Sequence, residues 1–150
     1  MAENGPTIME VRIEACETAL NQTGLKWARL SKVDENAPTN ALVMRFMLGC
    51  DEAIDVFAWF DMDGDSVHLN TGAISEVDSA SIPRMAMCAN KLNRRMRWVK
   101  FCVDDAGHFM AECDVSLIGE MVGTLCVEAI QRMVAIIDEC YSEIMVWSWM

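Results

Sequence analysis

The chain has 150 residues, a net charge of −11, a pI near 4.5 and 53% hydrophobic residues. That length suits one domain able to bury a core without staples. The strong negative charge excludes general nucleic-acid binding and disfavours anionic membrane surfaces, both of which need an attracting field.

The hydrophobic excess is in Met and Cys, with 13 methionines and seven cysteines. Met-rich surfaces can repack around different partners, or Met can simply stand where Leu would serve. Cys16, Cys50, Cys88, Cys102, Cys113, Cys126 and Cys140 are odd in number and contain no CxxC pair. They match no zinc or disulfide framework and point to a reducing compartment. Residues Met1 to Pro6 have no basic or apolar leader pattern, and apolar runs stop well short of a membrane span. The expected location is cytoplasmic.

In chain order, Thr7 and Glu10 fit a capping box that opens a helix. Ile8, Val11, Ala15 and Ala19 recur at helical spacing, with Leu20 beside them, and Gly24 suits the helix end. Strands are expected over Leu25–Val33, Ala41–Leu48, Ile54–Phe60 and Ser66–Thr71, with a loop at Asp34–Asn40. Short turns between the later strands predict antiparallel hairpins. A second helix over Ser79–Met96 has Ser81 as a cap and Pro83 in its first turn. Its stripe is Ile82, Met85, Ala89, Leu92 and Met96. Trp98–Val103 and Phe109–Val115 then flank the turn Asp104-Asp105-Ala106-Gly107.

The last helix is expected over Ile118–Trp147. One row is Ile118, Met121, Val122, Leu125, Ala129, Met133, Ile136, Cys140 and Trp147. A second is Val127, Ile130, Val134, Ile137, Tyr141 and Met145. Together they exceed the arc that one sheet can cover, so a second cover is needed: another helix of the chain, or a second subunit. The fold expected is α+β, a single domain over residues 1–150. It has an antiparallel sheet of about five to six strands with helices on one face, in the order α-β-β-β(-β)-α-β-β-α.

Few residues suggest chemistry. Phe60-Asp61-Met62-Asp63-Gly64 resembles the first motif of haloacid dehalogenase phosphatases, in which magnesium-dependent catalysis would use Asp61 and Asp63. Residues 66–71 read as a hairpin partner instead, and too little chain separates Asp61 from Lys100 and Asp104-Asp105 for that fold. An EF-hand fails because Gly64 falls at the wrong loop position. His68 and His108 show no metal spacing, with His68 expected to face solvent. No catalytic residue, cofactor or metal is expected.

Arg84, Lys91, Arg94, Arg95, Arg97 and Lys100 hold half of the 12 basic residues. They form either a docking patch for an acidic partner or internal pairs, with helix-end cations favoured by the dipole. The candidate partner-binding residues are Arg94, Arg95, Arg97, Tyr141, Met145, Trp147 and Trp149. The aromatic tail Trp147-Ser148-Trp149-Met150 would need cover by a partner or subunit.

The run Asn90-Lys91-Leu92-Asn93, then Trp98 to Phe109, then Glu112-Cys113-Asp114-Val115 and a long helix resembles the YbjN family of bacterial proteins. The resemblance implies the type III secretion chaperone-like fold and a non-enzymatic regulatory or protein-binding role, with no catalytic residues. Such chaperones are small, acidic, commonly dimeric, and hold an extended partner segment. The expectation is therefore a protein-binding adaptor that forms a homodimer, with no nucleic acid and no membrane. The alternative is a small-ligand sensor with a pocket between the sheet and the C-terminal helix.

Overall fold

A computed structural model of the protein describes residues 5–30 and 40–150. The far end of the expected strand Leu25–Val33 and the loop before Asn40 lie outside these residues.

Helix α1 spans Ile8–Thr23. It opens on the expected capping box of Thr7 and Glu10 and ends at Gly24 in the left-handed region. Its buried stripe is Met9, Ile13, Cys16 and Leu20, with Glu17 beside it. The expected stripe is therefore rotated. Ile8 is 63% exposed and Val11 is exposed, whereas Ala15 and Ala19 line a close helix contact.

Seven strands follow among the described residues: β1 Trp27–Arg29, β2 Ala41–Met47, β3 Ala53–Phe60, β4 Ser66–Thr71, β5 Ser75–Glu76, β6 Lys100–Val103 and β7 His108–Ser116. All pairings are antiparallel. β1 pairs with β2, β2 with β3, and β3 with β4. β4 then pairs with the C-terminal half of β7, while β5 pairs with its start. β6 lies along the opposite flank of β7. The two-residue β5 carries no alternation to read, and it raises the strand count above the sequence expectation. Between β4 and β5, the Thr71 hydroxyl accepts from Ala111 N–H at 3.0 Å and takes the place of a ladder partner.

Alternation puts Leu42, Met44, Val56, Ala58, Phe60, Val67, Leu69, Phe101, Phe109 and Ala111 into the core. Arg45, Asp55, Trp59, His68, Lys100 and Glu112 occupy the opposite, open face. Ion pairs there include Arg45–Asp55 at 2.8 Å and Lys100–Glu112 at 2.6 Å, and His68 Nδ1 lies at hydrogen-bond distance, 2.7 Å, from the Asp114 carboxylate.

A 3-10 turn, Ser79–Ser81, leads into α2, Ile82–Arg95. Asp78, not Ser81, caps this start: its side chain accepts from Ser81 N–H, and Ser81 itself makes no capping bond. Pro83 stands in the first turn as expected. Helix α3 spans Val122–Trp149, later than expected at both ends. Ile118 and Met121 precede it and are exposed, because Gly119 at φ +108 breaks the chain direction there. The fully buried stripe of α3 is Cys126, Ile130, Met133, Ile137, Cys140 and Ile144, a 4-3-4-3-4 spacing. Its second cover comes from the same chain. α1 packs on its N-terminal half, and α2 on its C-terminal half through Arg95–Glu143 at 2.5 Å and Lys91 over Trp147. The result is an α+β fold, three helices on an antiparallel sheet.

Candidate functional site

The Asp61–Asp65 segment closes the hairpin between β3 and β4. Asp61 accepts from the Ser66 hydroxyl, and Asp63 accepts from Asp65 N–H at 3.0 Å. Lys100 is paired with Glu112, while Asp104 accepts from the N–H groups of Ala106 and His108 in the turn between β6 and β7. The residues a phosphatase would bring together thus serve two separate hairpin turns and an ion pair. Among the described residues, no group of three or more His, Cys, Asp or Glu side chains could hold a metal ion.

The basic cluster is largely spent on internal contacts. Arg84 donates to the Trp147 and Ser148 carbonyls at 2.8 and 3.2 Å, which satisfies the end of α3. Arg95 pairs with Glu143, and Lys91 sits 5.0 Å from the centre of the Trp147 ring. Trp147, Tyr141 and Met145 are half-buried against the core, whereas Trp149 is 86% exposed. Of the proposed partner-binding set, Arg95 and Trp147 therefore have occupants already. Arg94 is exposed in the last turn of α2.

Arg97 leads to Trp98, which the sequence places at the start of a strand but which stands outside β6. Trp98 is 65% exposed and has φ +76. A bulky side chain in the left-handed region costs of order 1–3 kcal/mol and persists only where its surroundings hold it. The guanidinium groups of Arg97 and Arg132 do so, at 5.5 and 4.7 Å from the ring centre, within cation–π range. The left-handed turn swings the indole toward α3 instead of along β6. Beside it lies a cleft of about 250 Å³ between the end of β7 and α3. Val99, Cys113, Val115, Leu125 and Ala129 give it apolar walls, and Asp114, Glu128 and Arg132 add charge. Burial, ahead of the Asp114 charge, raises the Cys113 thiol above its usual range, so this thiol stays protonated and acts as apolar wall.

The neighbouring edge of the sheet is closed by a side chain. Asn93 on α2 accepts from Phe101 N–H at 2.7 Å and donates to Phe101 C=O at 3.0 Å. A strand edge with free backbone groups invites pairing with another chain, and this amide occupies the central position of β6. The junction thus fixes β6, Trp98 and the cleft as one unit.

The described residues thus form three helices on an antiparallel sheet, an α+β fold, with an aromatic-lined cleft between β7 and α3. Residues 49–144 match the family model described as "Putative bacterial sensory transduction regulator". The chain belongs to the YbjN family. Among solved structures, YbjN from E. coli is similar at 14% identity and TM-score 0.58, over 92% of this chain and 93% of that one. A chain of the heterodimeric ExoU–SpcU complex from the type III secretion system of Pseudomonas aeruginosa is similar at 15% identity and TM-score 0.51. That match covers 87% of this chain and 95% of the other. No curated protein matches the chain in sequence. The structural matches bear out the fold expected from the family resemblance.

Proposed function

We propose that this protein is a non-enzymatic adaptor that binds another protein through the Trp98 cleft. The observation that carries the reading is Trp98 itself: exposed, held in a strained backbone conformation by two arginines, and set over an apolar cleft. Strain retained at an exposed aromatic is the signature of a surface shaped for contact. The fold agrees with this role, since the similar P. aeruginosa chain is part of a heterodimeric complex. The cleft supports a large apolar side chain as the anchor of the partner segment. At about 250 Å³ it falls below the roughly 300–1,000 Å³ common for small-ligand pockets.

The protein works in the cytoplasm on this reading, consistent with free cysteines throughout and no helix, among the described residues, long and apolar enough to cross a membrane. A homodimer belongs to the same proposal, with the exposed Val146, Trp149 and Met150 as its contact. Affinity purification from the source cell with mass spectrometry, run in parallel with wild type and Trp98→Ala, tests the main claim. A protein recovered by the wild type and lost with Trp98→Ala, at unchanged Tm, supports it. Equal recovery by both moves the contact elsewhere.

A small-ligand sensor is the second reading, because the cleft does lie between the sheet and the C-terminal helix. A compound that raises the wild-type Tm but not that of Trp98→Ala would favour it.

A further inference from the structure

α1 crosses α3 at very short range. A Cβ built on Gly123 would lie 2.4 Å from the Ala15 carbonyl oxygen and 3.0 Å from the Ala19 Cβ. Small residues on both sides let the backbones approach, and the same crossing brings two sulfurs together. Cys16 Sγ and Cys126 Sγ are 2.8 Å apart, fully buried, and both are free thiols. A disulfide bond needs roughly 2.05 Å, so closing it asks for little movement. The partners lie on different helices, 110 residues apart in sequence. A bond between them would tie the first helix to the last.

We propose that Cys16 and Cys126 form a reversible disulfide that fastens α1 to α3. The oxidant is a low-molecular-weight disulfide such as oxidised glutathione. One cysteine thiolate attacks it, breaks its S–S bond and releases one glutathione thiolate. The second cysteine thiolate then attacks the protein sulfur of the mixed disulfide and releases the other. Two protein thiols thus lose two electrons and two protons, and one small disulfide leaves as two thiols.

The packed pair resists this exchange. The hydrogen bond with Cys16, reinforced by burial, holds the Cys126 thiol protonated. Reaction therefore requires α1 to lift, and the bond, once made, keeps α1 in place. Oxidation becomes a record of that opening, and it acts on the helix rather than on the Trp98 cleft.

The test incubates the folded, full-length protein with oxidised glutathione at mildly alkaline pH, then blocks thiols and maps peptides without reduction. The expected product is a Cys16–Cys126 linked peptide pair, lighter by two hydrogens and reversed by dithiothreitol. Tm should rise by roughly 5–10 °C, and amide exchange across α1 should slow. Cys50→Ser, which removes an exposed thiol, should keep all three effects. Cys16→Ala and Cys126→Ala should each lose the link and the thermal gain. The proposal is overturned if only glutathionylated Cys50 appears after the α1 amides have fully exchanged. A Cys16–Cys126 link obtained only from urea-unfolded protein would overturn it equally.

Discussion

Gly123→Ala sets two local effects against each other, and the structure decides the sign. Gly123 lies in the first turn of α3, where helix propensity alone favours Ala by about 0.8–1.0 kcal/mol. The added methyl, however, would meet the Ala15 backbone oxygen at 2.4 Å, with the Ala19 Cβ at 3.0 Å. A carbonyl oxygen cannot turn aside as a flexible side chain can, so α1 and α3 must separate. Overpacking of this kind costs about 1–3 kcal/mol, and more where backbone has to shift. We therefore expect a net loss of about 1–2 kcal/mol, or a Tm lower by roughly 3–8 °C for a chain of this size. Thermal unfolding by circular dichroism and urea titration measure it, with an unchanged m-value showing that the midpoint shift is a change in stability. A Tm equal to or above that of the wild type would refute the close crossing, and with it the placement of Cys16 against Cys126.

Asn93→Ala removes both hydrogen bonds to Phe101 and should cost about 1–2 kcal/mol by urea titration. Asn93→Asp keeps the acceptor but sets a carboxylate oxygen against the Phe101 carbonyl, so it should be worse than Ala at pH 7 and recover as the carboxyl is protonated. An Asn93→Ala protein of wild-type stability would mean that the edge amide is idle. Stability should also fall in acid. Backbone N–H donation from His108, with its ring nitrogen also bonded, holds Asp104 below the usual carboxylate range, and Arg45 does the same for Asp55. Groups with depressed folded-state values contribute stability that is complete above the unfolded value, about 3.9, and lost as pH falls through the folded one. Tm measured from pH 7 to 2.5 should therefore drop below about pH 4, and Asp104→Asn should shallow that limb. An acid limb identical in wild type and Asp104→Asn would remove Asp104 from the account.

The features legible in the sequence are those set by near neighbours. The Thr7–Glu10 box, the β3–β4 hairpin around Gly64 and the β6–β7 hairpin around Gly107 each depend on a few adjacent residues. Of the two readings the sequence leaves open for the basic cluster, Arg84, Lys91 and Arg95 follow the internal one through contacts to α3, while Arg94 stays exposed. What depends on helix rotation was less legible. On α1, Ile8-Val11-Ala15-Ala19 and Met9-Ile13-Cys16-Leu20 both have helical spacing; tertiary packing buries the second row, with Cys16 against Cys126, and leaves Ala15 and Ala19 of the first at the crossing with Gly123. On α3, Cys126 and Ile144 belong to the buried stripe but to neither row expected from the sequence, because the whole helix is apolar enough to hide its central stripe. Gly119 was a usable signal that Ile118 and Met121 lie outside that helix. Trp98 offered none: a left-handed tryptophan is set by the arginines that hold it, one of them on an element 34 residues away.

The crossing of α1 on α3 also has a consequence in time. α1 leaves the ribosome about a hundred residues ahead of α3, on which it packs, and β4 likewise waits for the C-terminal half of β7. Contacts so distant in sequence repay their loop-closure entropy late, which slows folding and leaves intermediate species exposed. Met9, Ile13, Cys16 and Leu20 form an apolar stripe that lacks its α3 contacts until α3 has been synthesised. The nascent chain therefore passes through an interval in which its own first helix is a hydrophobic ligand awaiting a host, and α1 docking is the step that ends it.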